Sequence, residues 1–116
     1  MITASFIKYV DTREIHHIVK GHAGQAELGK DIICSAASIL TQTLAQVVYE
    51  HRNKLVGKPI IELESGYSLI HCKCKDQQTF YELVQALDFA EKGYELLAHN
   101  HPQFVELKSF GQPDEA

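Results

Sequence analysis

Two residue types capable of covalent chemistry stand close together in the chain. One is the histidine of Gly21-His22-Ala23, the other the cysteine of Asp31-Ile32-Ile33-Cys34-Ser35-Ala36-Ala37-Ser38. Cysteine attacks a carbonyl carbon as the thiolate, and an adjacent imidazole can take up the thiol proton and later return it to a leaving group. Position matters as much as residue type. A thiol at a helix N-terminus lies beside unpaired backbone N–H groups and the positive end of the helix dipole, and both favour negative charge on sulfur. Asp31 is a favoured N-cap residue directly ahead of a run with helical periodicity. The reading therefore places Cys34 at the third helical position and His22 at the end of the preceding element. A loop bearing Gly24 and Gly29 lies between them. The same free amides could hold the oxyanion of a tetrahedral intermediate.

Taken alone, these residues admit two readings each. Asp31 is either a cap tied to backbone donors or a carboxylate that orients His22. A free cysteine in a helix beside Ala36, Ala37 and Leu40 is by default a small buried hydrophobe. The preceding glycine, the glycine-bearing loop and the aspartate favour a nucleophile without deciding the matter. Ser38, four residues after Cys34, shares its helix face and either bonds near the pair or permits close packing.

The segment Gly21-His22-Ala23, Gly29, Asp31-Ile32-Ile33-Cys34-Ser35-Ala36-Ala37-Ser38 resembles the signature of the ribosomal-processing cysteine protease family (Prp, YsxB-like). The likeness extends over nearly the whole chain in length, in the motif's distance from the N-terminus and in the order of elements. Leu28, where members often carry Tyr, and Ser35, where Ala is frequent, depart from the pattern outside the dyad. The resemblance implies an endopeptidase that removes the N-terminal extension of a bacterial large-subunit ribosomal protein, the twenty-seventh, during ribosome maturation. By the same likeness Cys34 is the nucleophile and His22 the general base, with Gly21, Gly29, Asp31 and Ser38 as supporting positions. It implies a homodimer with a ribosomal-protein precursor as peptide substrate, and neither metal nor organic cofactor. The contrasting expectation is a non-catalytic ribosome-assembly protein of the same fold, in which Cys34 and His22 only pack.

The elements that must position the pair follow from periodicity. At 116 residues the chain is one domain by length, 1–111, with 112–116 a frayed tail. Alternation over 2–10 reads as a half-buried strand, 11–14 as a turn and 15–20 as the returning strand. His16 and His17 point to opposite faces of that strand, so they cannot grip one metal together and read as surface and structural residues. The long helix spans about 32–55, with Ile33, Ala37, Leu40, Leu44, Val47 and Leu55 as its apolar stripe and Gly57-Lys58-Pro59 as its stop. A second hairpin, 60–64 and 67–74, turns at Ser65-Gly66. Cys72 and Cys74 share a face of its second strand, and His71 faces the other way, so no zinc-type ligand set is expected. Asp76, or three residues later a capping box at Thr79, opens a second helix of about 77–99. Its stripe is Phe80, Leu83, Val84, Leu87, Ala90, Tyr94 and Leu97, and Gly93 suggests close packing against a neighbour. A last strand covers 103–110. The order ββαββαβ predicts an α+β domain whose mostly antiparallel sheet is covered by two amphipathic helices.

Composition bounds the partners. Hydrophobic content of 45% and charged content of 22% are those of an ordinary globule. A net charge of −4 lacks the basic patch of a nucleic-acid surface, and suits a basic protein partner only weakly. The first ten residues do not read as a signal peptide. The most apolar run, 32–40, is short of the roughly 20 residues a membrane span needs. Three cysteines, an odd number, fit a reducing cytoplasm.

Overall fold

The computed structural model describes residues 1–22 and 32–108, with the backbone of 30 and 31. Among these residues the strands are β1 (Ile2–Tyr9), β2 (Glu14–Lys20), β3 (Ile60–Glu64), β4 (Tyr67–Lys73) and β5 (Val105–Leu107). The helices are α1 (Lys30–Glu50) and α2 (Gln77–Asn100). The sheet order is β3-β4-β2-β1-β5. Every neighbouring pair is antiparallel except β1 with β5, so the expected α+β architecture and ββαββαβ order hold.

Alternation decides which face the helices cover. Ile2 and Ala4 of β1, Ile15 and His17 of β2, and Ile70 and Cys72 of β4 are all buried. One apolar cluster joins Ile15, Ile70 and Cys72 to Leu44 and Val48 of α1 and Phe80, Leu83 and Leu87 of α2. A second joins Ile2 and Ala4 to Ile33, Ala37, Tyr94 and Val105. The segment Ile32–Glu50 is, by length and composition, apolar enough to cross a membrane, contrary to the expectation from its first residues. Its stripe Ile33, Ala37, Leu44 and Val48 is instead packed in these clusters, as in a core helix.

The helix ends differ from the sequence expectation in ways that have local causes. α1 begins at Lys30, so Asp31 lies inside its first turn instead of capping it. It stops at Glu50, not near 55. The His51 N–H is shared between the carbonyls of Val47 and Val48 at 3.2 and 3.1 Å, and the chain tightens into a 3₁₀ turn, Arg52–Lys54. Leu55 then turns extended and forms a bridge to Cys74. It is buried as the stripe demands, but from an extended backbone. α2 starts where Asp76 predicts, because the Asp76 Oδ1 accepts the Thr79 N–H at 2.7 Å. A β-carbon at Gly93 would fall 2.6 Å from Leu40 Cδ2, which is the close helix packing that glycine suggested. The final strand is limited to Val105–Leu107, beside β1, and the expected tail 112–116 lies outside the described residues.

Candidate active site

His22 follows β2 through Gly21, whose φ of +92° lies in the left-handed region that glycine tolerates. A side chain there would also run into the Met1 carbonyl. The Gly21 N–H donates to the Gly66 carbonyl at 2.9 Å, and the Met1 amino group donates to the His22 carbonyl. The end of β2 is thereby tied both to the N-terminus and to the β3–β4 turn. Gly66 sits at that turn with φ +78°. A β-carbon on it would lie 2.5 Å from His22 Nε2 and 3.0 Å from Cε1, so the imidazole rests against a surface only glycine can provide.

Cys34 reaches the same place from α1. It is half-buried, packed against the Ile33–Ala37–Tyr94 cluster. With α1 starting at Lys30, Cys34 is the first residue whose N–H has an i−4 carbonyl inside the helix. The amides left without an intrahelical partner are those of the turn before it, not its own as the shorter helix implied. His22, Cys34 and Ser38 line one cleft of about 310 Å³. Gly21, Ala37 and Thr41 contribute to its walls, the hairpin tip 63–68 closes one side, and Ile2 and Tyr94 also line it. Ser38 is exposed along the cleft one turn after Cys34. Gly29 lies outside the described residues, and of Asp31 the backbone alone is described.

Beneath the cysteine runs a buried polar chain that the sequence pattern did not single out. The Tyr94 hydroxyl donates to the Ala37 carbonyl at 2.8 Å and lies 2.6 Å from Thr41 Oγ1. Thr41 Oγ1 lies 2.8 Å from His17 Nε2, and His17 Nδ1 donates to the Ser5 carbonyl at 3.1 Å. A carbonyl only accepts, so Nδ1 carries the proton of the neutral ring and Nε2 accepts from Thr41; the single Tyr94 proton is then shared between the Ala37 carbonyl and Thr41 Oγ1. Burial pulls His17 down to about 4 despite its bond to Ser5, and pushes Tyr94 up to about 12. At neutral pH the ring is therefore uncharged and the phenol protonated. Phe6 stacks on His17 at 4.3 Å and meets Tyr94 edge-on at 5.4 Å. The chain fixes the helical turn 37–41, directly after Cys34, to both α2 and the sheet. Thr41 stands seven residues after Cys34 and so on the same helix face. That spacing was the available signal for it. Of the two adjacent histidines, His17 is the structural one, on the helix side.

Cys72 and Cys74 are buried on the helix side of β4 and its extension. The hydrogen bond to Cys74, with burial, pushes the Cys72 thiol up, which keeps it protonated and inert. They belong to the core and not to the cleft.

Comparison with known proteins bears on the family and the fold. Residues 1–106 match the family model described as cysteine protease Prp. No curated protein matches the chain. Among solved structures, SMU.848 from Streptococcus mutans is 24% identical with a TM-score of 0.68, over 97% of this chain and 96% of that one. The essential ribosomal processing protease Prp from S. aureus, with a covalently linked product peptide, is 18% identical with a TM-score of 0.68, over 93% and 98%. The same S. aureus protein with a substrate peptide gives 17% and 0.67, over 93% and 98%. At these identities the structures speak for the fold.

Proposed function

The chain belongs to the cysteine protease Prp family, and from that premise we propose that it removes the N-terminal extension of a bacterial ribosomal-protein precursor, the twenty-seventh protein of the large subunit. Cys34 is the nucleophile and His22 the general base and acid. The observation that carries this reading is that residues from two separate elements, the end of β2 and the start of α1, line one open cleft. The S. aureus relative was solved with a substrate peptide and with a covalently linked product peptide, which supports a peptide as the occupant of the corresponding cleft.

The chemistry follows from the parts. His22 takes the Cys34 proton, and the thiolate adds to the scissile carbonyl to form a tetrahedral intermediate. The unpaired amides of the first turn of α1 are the backbone donors assigned to its oxyanion. As the intermediate collapses the C–N bond breaks, and His22 gives its proton to the leaving amine. A water molecule, deprotonated by His22, then hydrolyses the thioester and releases the new carboxylate and the free thiol. No step in this sequence requires a metal or an organic cofactor.

A homodimeric assembly and a cytoplasmic location go with this reading. The three free thiols support a reducing compartment. Incubating the chain with the precursor and weighing the products by mass spectrometry tests the activity. The expected result is one internal cleavage, abolished in Cys34→Ala and in His22→Ala. Binding of the precursor without cleavage, or cleavage that survives Cys34→Ala, would overturn it.

A further inference from the structure

The face of the sheet opposite the helices carries a second group of chemistry-bearing side chains. His16 of β2 pairs directly with His71 of β4. Glu14, two residues before His16, points to the same side of the sheet. One ligand atom from each of the three lies within 4.8 Å of the others, and all three side chains are half-buried. The His71 Nε2–H donates to Glu14 Oε1 at 2.9 Å. The His16 ring stacks on His71 at 4.1 Å and is met edge-on by Tyr9 at 5.3 Å, so its orientation is held from both sides.

We propose that Glu14, His16 and His71 form a binding site for a first-row divalent transition-metal ion, with Zn²⁺ as the type. The donor set is two imidazole nitrogens and one carboxylate oxygen, which suits Zn²⁺ and its neighbours and not Mg²⁺ or Ca²⁺. A tetrahedral Zn²⁺ with bonds of about 2.0–2.1 Å holds its ligand atoms about 3.4 Å apart. The observed spacing, up to 4.8 Å, must close to that distance when the ion enters. The fourth position is left for water. The proton that His71 Nε2 donates to Glu14 must move to Nδ1 or leave when the ion enters.

The site lies far from the cleft. Glu14 pairs with Lys73, whereas Lys20, at the His22 end of β2, pairs with Tyr67. Six residues at about 3.3 Å each separate the two ends of the ladder, about 20 Å. The ion would clamp β2 to β4 without touching Cys34 or His22, and the inference is independent of the proteolytic reading.

Calorimetric titration of the full chain with zinc chloride tests it. The expected result is saturable one-to-one binding that is retained in Cys34→Ala. It should weaken at least tenfold in Glu14→Gln, His16→Gln and His71→Gln. Saturating zinc should raise the melting temperature of the unsubstituted protein and not that of the three variants. Absence of saturable binding, full binding in the three variants, or binding lost in Cys34→Ala would overturn the assignment. Should one histidine variant fail to fold, the other histidine variant and Glu14→Gln decide the question by the same loss of affinity.

Discussion

The imidazole of His22 lies against the α-carbon of Gly66, close enough that a β-carbon there would fall 2.5 Å from Nε2. The turn that joins β3 to β4 is therefore also the seat of His22, the proposed general base. Gly66→Ala introduces two effects. The positive φ of +78° costs an alanine on the order of 1 kcal/mol. The new methyl group also displaces the ring, and a misplacement of about 1 Å in a catalytic group costs about 100-fold in rate. The expected outcome is a loss of kcat/KM near 100-fold with a small fall in stability. Peptide cleavage and urea unfolding on the same variant separate the two effects. A variant that unfolds readily but cleaves normally would contradict the seating role.

Tyr94 is expected to matter to Cys34, the proposed nucleophile, through its bonds to the next turn of α1. Its hydroxyl serves the Ala37 carbonyl and Thr41, and it is 1% exposed, so Tyr94→Phe strands buried polar partners. Such a loss costs about 1–3 kcal/mol. The urea midpoint should fall accordingly. The turn 37–41 also loses its anchor to α2, so alkylation of Cys34 by iodoacetamide should change in rate even where the variant remains folded. An unchanged rate would confine Tyr94 to stability.

The helices and the two hairpins are legible because each is written locally: Asp76 as a cap, Ser65-Gly66 as a turn, the stripes of α1 and α2. Local pattern fails where a residue is buried by a route that periodicity does not encode. Leu55 fits the stripe of α1 yet is buried from an extended segment bridged to Cys74. The Gly66 seat, the Thr41–Tyr94–His17 chain and the meeting of His16 with His71 depend on which strands and helices become neighbours. The β2–β4 pairing is set by the sheet order, and nothing in either strand alone announces it.

Gly93 sets a backbone preference against packing. Alanine in its place gains about 1 kcal/mol of helix propensity. Its methyl, however, would stand 2.6 and 2.7 Å from the Leu40 δ-carbons and 3.2 Å from Cγ. The whole isobutyl group would have to move, and overpacking of that kind costs about 1–3 kcal/mol. The net expectation is a loss of about 1 kcal/mol, read as a lower melting temperature. Gly93→Ala combined with Leu40→Ala should lose less than the sum of the two single variants, because the added methyl then occupies the space the leucine vacates.

Stability should fall as the solution is acidified, and His17 should carry much of the fall. Its ordinary value of 6.5 is lowered to about 4 in the folded protein by burial. The unfolded chain therefore binds a proton between those values that the folded chain refuses. The contribution is fully present above pH 6.5 and is lost progressively as pH falls toward 4, reaching about 2 kcal/mol lost by pH 5. Urea unfolding at pH 7 and pH 5 measures it. In His17→Phe, which titrates in neither state, the difference between the two pH values should shrink by that amount. The variant should also be less stable at pH 7, because Thr41 and the Ser5 carbonyl lose their partner. An undiminished pH dependence in His17→Phe would assign the acid sensitivity to other groups.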